Sequence, residues 1–65
     1  MQQMNETIEI LEHQRWEGAN ELEKDFIVHS FAMRFVMVTH KKSGIKGSLE
    51  FDHMPRVYYG FIPES

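Results

Sequence analysis

No cysteine occurs in the sequence, so no disulfide can staple the fold, and the absence fits a reducing compartment. No stretch reaches the run of about 18 apolar residues that a membrane-spanning helix needs. The longest candidate, Phe26–Thr39, is interrupted by His29, Ser30 and Arg34. The first residues, MQQMNETIE, carry neither the basic region nor the apolar stretch of a signal peptide. A cytoplasmic location is therefore expected, with no membrane partner. Met4 would serve equally well as a start, leaving residues 1–3 as a dispensable extension. Positive charge is also scarce. Ten acidic residues against seven basic ones leave a formal charge of −3, a poor balance for neutralising phosphates, so nucleic acid is not an expected partner. Repeats and low-complexity tracts are absent as well.

What remains is a chain of 65 residues with 42% hydrophobic residues. That is too apolar for a disordered segment and too short for more than one domain, 1–65, with residues 1–4 and 63–65 expected as flexible ends. A domain of this length buries only about 60% of the surface its unfolded chain exposes. Without a disulfide, the remaining routes to stability are a well-packed core, a metal or a partner subunit. Self-association is thus a physical expectation, because it adds buried area that the monomer lacks.

The core must be seeded by FIVHSFAMRFVMVTH, residues 26–40, which holds three of the five phenylalanines. Read as a strand, one face is Ile27, His29, Phe31, Met33, Phe35, Met37 and Thr39. The other is Phe26, Val28, Ser30, Ala32, Arg34, Val36, Val38 and His40. The first face carries the larger apolar groups and is the one expected to be covered. A helix from Ser30 would align Phe31, Phe35 and Val38, with Gly44 as its cap. The Phe, Ile, Val and Thr content favours a strand, bent or bulged near Ser30–Ala32 because it is long.

Around this run the other elements are shorter. In residues 4–17, a helix capped by Asn5 and ended by Gly18 would put Met4, Ile8 and Leu11 on one face. A strand would instead align Ile8, Ile10 and Trp16, and the helix-forming composition favours the former. EGANELEKD, residues 17–25, reads as a connection, with Asn20 and Glu23 resembling a capping box for a helix from Glu21. HKKSGIKG is a turn, Ser48–Phe51 a short strand, Asp52–Pro55 a turn, and Arg56–Ile62 a last strand. In that strand Val57, Tyr59 and Phe61 should face one way and Tyr58, Gly60 and Ile62 the other. The expected class is α+β and β-rich: a short antiparallel meander of about three strands with an N-terminal helix, or an all-β four-stranded meander if the first segment is extended. Three strands leave an open edge, which invites pairing with another chain. Lysines guard the hairpin turn, whereas Val57–Ile62 has no such guard and is the expected dimer edge.

Few side chains point to chemistry. His13, His29, His40 and His53 lack the close spacing of a metal motif, so no metal or cofactor is expected. His40 and His53 flank the hairpin Thr39–Phe51 and so could approach each other. His29, within the apolar run, is expected to be a satisfied core or interface histidine. If the chain is an enzyme, His29 and His53 are the acid–base candidates. Arg34 is expected in a solvated or interfacial ion pair with Glu50 or the Glu21–Asp25 cluster. Arg56, Tyr58, Tyr59 and Phe61 are the remaining interface candidates. Adjacent tyrosines on a strand point to opposite faces, so they form no stacking platform for single-stranded nucleic acid. Ser30 and Ser43 lack any GxSxG context for nucleophilic catalysis.

LEKDFIVHSF, followed by Ala32 and Phe35, and then Asp52-His53-Met54-Pro55 with Tyr58 beyond, loosely resembles the pterin-4a-carbinolamine dehydratases over residues 16–59. The resemblance implies a long helix opening near Ser30-Phe31 and an active-site motif falling on His53 and Pro55. Met54 departs from that motif, the family's later histidine has no counterpart, and KKSGIKGS would break the helix. Without the resemblance, the expected role is a small non-enzymatic protein–protein interaction or accessory protein. It would self-associate through a sheet edge or dock on a larger protein. The alternative is a small lyase-like enzyme with histidine acid–base residues.

Overall fold

The computed structural model describes residues 2–64. It is a β-rich α+β domain: helix α1 (Gln2–Glu12), strand β1 (Arg15–Glu17), helix α2 (Ala19–Asp25), and strands β2 (Phe26–Phe31), β3 (Phe35–His40), β4 (Lys46–His53) and β5 (Arg56–Pro63). The strands form one antiparallel sheet in the order β1-β5-β4-β3-β2. Strands β2 to β5 are the expected meander, with one strand more than anticipated because the central run is two strands. β1 adds the fifth strand by pairing with the last one. Of the ends expected to be flexible, residues 2–4 lie in α1 and Pro63 in β5, and Met1 and Ser65 lie outside the described residues.

The N-terminal segment contains both a helix and a strand. Ile8 and Leu11 of α1 face the core as expected, Ile10 points to solvent, and Met4 lies outside the described side chains. The helix starts before Asn5, so Asn5 is not its cap. Gly18 does not end α1 either: it precedes α2 as its N-cap at φ 95°, a left-handed conformation suited to glycine. Leu22 N–H donates to Gly18 O at 3.2 Å. Glu21, rather than Glu23, reaches back, accepting the Glu17 N–H at 3.0 Å, so the helix begins two residues before the expected Glu21. Leu22 then drops into the core.

The central run reverses instead of bending. Ala32 N–H donates to Phe35 O at 2.7 Å, closing a tight turn, and β2 folds back on β3 with a bulge at His29, between Val28 and Ser30. Its two faces are also inverted relative to expectation. Phe26, Val36 and Val38 are buried, whereas Ile27 and Phe35 are exposed. The reason is the position of the helices: Leu11 and Leu22 cluster with Trp16, Phe26, Val36, Val38, Ile45, Leu49, Tyr58 and Phe61, all on one side of the sheet. The smaller β-branched residues of β3 leave room for the rings of Trp16, Phe26 and Phe61. Phe26 meets Trp16 edge-on at 4.9 Å and Phe61 at 5.7 Å, separations at which aromatic pairs attract.

The last strand is not an edge. β5 lies between β1 and β4, so the expected dimerisation edge is already paired within the chain. Alternation along it is broken as well. The β4–β5 register shifts between Ser48 and Glu50, opposite Gly60 at φ 69°, and the shift turns both Tyr58 and Phe61 toward the core. The two real edges are β1, only three residues long, and β2.

Candidate interaction face

With both helices on one side, the opposite side of the sheet has no covering layer among the described residues. The strand registers arrange its side chains in four rungs. From the β3–β4 turn, these are Ile27, Thr39 and Lys46; then Ser30, Met37, Ser48 and Ile62; then Phe35, Glu50, Tyr59 and Arg15; then Asp52 and Glu17, with Val57 buried between them. Of the apolar members, Met37, Ile62, Phe35 and Tyr59 lie in the two middle rungs and Ile27 in the first. Ile62 is 58% exposed, Ile27 49% and Phe35 39%, while Met37 and Tyr59 are half-buried between neighbours. Charge divides by end: Lys46 in the first rung, and Asp52 and Glu17 in the last.

His29, at the β2 bulge, is exposed and shares a 2.7 Å hydrogen bond with Thr39 Oγ1. It is therefore satisfied, but at the surface and not in the core. At the far end of the sheet, a cavity of about 410 Å³ is lined by Met33, Arg34, Glu50, Phe51, Asp52, His53 and Tyr59. Arg34 is exposed in the β2–β3 turn and shares this cavity with Glu50, one of its two expected acidic partners. Tyr59 donates its hydroxyl to Asp52 Oδ1 at 3.2 Å. Loss of solvent around the phenol, and then the Asp52 and Glu50 carboxylates, raise its pKa above the usual 10. At neutral pH Tyr59 is thus a hydrogen-bond donor and not a base. The cavity contains His53 but not His29, so the two acid–base candidates do not meet in it. His40 and His53 also stay apart, because β4 runs its full length between them. His40 instead bonds Ser43 Oγ through Nδ1 at 2.8 Å, within the β3–β4 turn.

The other interface candidates divide between the two sides. Tyr58 and Phe61 are core residues. Arg56 donates through Nη1 to Tyr58 Oη at 3.2 Å and lies over the Phe51 ring, 5.1 Å from its centroid. Only Tyr59 stands on the uncovered face. The basic residues do not converge: Arg34 and Arg56 are at one end of the sheet, and Lys41, Lys42 and Lys46 at the other. Among the described residues no group of three or more histidines and carboxylates is placed to hold a metal ion, and no helix is long and apolar enough to cross a membrane.

Sequence reasoning missed Ile62, Lys46, Glu50 and Asp52 as surface partners of Ile27, Phe35 and Met37. The alternation that joins Ile27, Phe35 and Met37 was legible, but not which side the helices would cover. Compared with known protein families, curated proteins and solved structures, the chain matches none. The segment that the carbinolamine dehydratase resemblance reads as a long helix forms β2 and β3.

Proposed function

We propose that this chain is a small non-enzymatic protein–protein interaction module that self-associates, and that its contact surface is the uncovered face of the sheet and not an edge. The observation that carries the reading is the apolar set of Phe35, Met37 and Ile62 in the middle rungs, with Ile27 beside them, which no element of the described residues covers. Exposed apolar residues scattered singly need no explanation, but a contiguous group ringed by polar residues marks an interaction site. The edges are poorer candidates. β1 offers three residues. The β2 bulge at His29 interrupts the regular ladder an incoming strand would extend, a known protection against edge pairing.

Sedimentation equilibrium tests this. The wild type is expected to run above its monomer mass of 7.7 kDa at high concentration. Phe35→Glu, which places a charge in the middle of the face, is expected to return it to monomer with the same circular dichroism. A clean monomer for the wild type at high concentration overturns the reading.

A further inference from the structure

We infer that the occupant of the uncovered face is a second copy of this chain, stacked face to face about a two-fold axis that runs across the strands, so that β4 lies antiparallel over β4. This rests on the face being the contact surface, and it adds the partner and its orientation.

Two sheets that pack face to face stand about 10 Å apart with strands nearly aligned. For two identical copies, two such arrangements have two-fold symmetry. If the axis runs along the strands over the central β4, each rung lies over its own copy with the strand order reversed. Lys46 then meets Lys46, Glu50 meets Glu50 and Asp52 meets Asp52. If the axis runs across the strands, the rung order reverses while each strand stays over its own copy. The register pair Val36 and Leu49 then marks the axis. Lys46 of one copy stands over Asp52 of the other, Ser48 over Glu50, Phe35 over Met37, and Tyr59 over Ile62. Along β3, β4 and β5 these pairs set charge against opposite charge or hydroxyl and apolar group against apolar group; Arg15, Glu17 and Ile27, on the outer strands, have no counterpart. Like charges set opposite one another disfavour an interface strongly, so of the two arrangements centred on β4 only the second pairs its charges with unlike groups.

Strands β2 and β3 have six residues and β4 and β5 eight; at about 4.8 Å spacing and about 3.3 Å per residue they present about 440 Å² in flat projection, which side-chain relief enlarges. The roughly 800 Å² per partner of a standard specific interface sets the comparison, and a face of this size suits a dimer that forms at high concentration.

A charge swap tests the orientation. Lys46 and Asp52 are exposed, so reversing them leaves the core intact. By sedimentation, Lys46→Glu and Asp52→Lys are each expected to weaken the dimer about tenfold, since each turns two attractive pairs into repulsive ones. The double variant is expected to return to within about threefold of wild type. A dimer that resists both single reversals, or a double variant no tighter than the singles, overturns the orientation while leaving self-association standing. A wild type that stays monomeric overturns both. A dimer that survives Phe35→Glu places the contact elsewhere and overturns the inference.

Discussion

The two sides of this sheet are made of similar residues and have opposite fates. Val36, Val38, Leu49, Tyr58 and Phe61 on one side are sealed by two helices, whereas Phe35, Met37, Tyr59 and Ile62 on the other meet solvent. Hydrophobicity alone does not separate the sides; the attachment of α1 and α2 does. Each core side chain gains about 1.5–3 kcal/mol from leaving water. The uncovered side forgoes most of that gain in the monomer, and a second layer would recover it. The polar groups differ too. The sealed side keeps its polar atoms at the periphery, with Trp16 donating its indole N–H to Asp25 Oδ2 at 2.8 Å. The open side interleaves Lys46, Glu50 and Asp52 with its apolar residues.

The largest test of this contrast is to empty the sealed side. Phe61→Ala is expected to cost about 3–5 kcal/mol, enough to unfold most of a domain whose total stability is about 3–10 kcal/mol by length; urea titration followed by circular dichroism measures it. Next is overpacking on the same side. A methyl group on Gly47 would strike the Ile62 carbonyl and the Phe61 ring, so Gly47→Ala is expected to destabilise by about 1–3 kcal/mol in the same titration. The matching change on the open side should be mild. Phe35→Ser is expected to shift monomer stability by under about 1 kcal/mol at dilute concentration, while abolishing the concentration dependence of the melting temperature that the proposed dimer would confer. A loss as large as that of Phe61→Ala would mean the two sides are not energetically distinct.

The smallest effect is set by pH at the rim. Loss of solvent lowers the pKa of His40 below its ordinary 6.5; Asp25 opposes the shift and Lys42 adds to it. The folded protein therefore binds this proton less readily than the unfolded chain. Its stabilising contribution is complete above about pH 6.5 and is lost as the pH falls from there through the lowered folded value. Thermal melts of wild type and His40→Gln across that window are expected to diverge on the acidic side only.

Much of the meander was legible before the structure. The last strand ends within one residue of its expected limits, because Pro55 closes the turn before it and a run rich in aromatic and β-branched residues follows. The reversal at Ala32–Arg34 was not legible. It contains no Gly, Pro or Asn, the residues that announce turns, and alternation reads straight through it. Trp16 was misplaced for a different reason. Its strand is three residues long, and its partner Tyr58 lies at the other end of the chain, beyond the reach of any local pattern. The candidate face was half legible. Its spacing was visible, but the side that the helices would cover depends on how α1 and α2 dock, which no short stretch encodes.

That distant pairing of β1 with β5 has a kinetic consequence. The contacts of β2 with β3, β3 with β4 and β4 with β5 close short loops, and hairpins of this kind form in about 1–10 μs. β1 must bring together residues about forty positions apart, Trp16 and Tyr58, and loop closure grows costlier with length. The meander is therefore expected to zip first and the N-terminal segment to dock on it afterwards. Trp16 is the sole tryptophan and sits on the late-arriving piece, so in a refolding trace its fluorescence should follow the far-ultraviolet signal of the strands rather than accompany it.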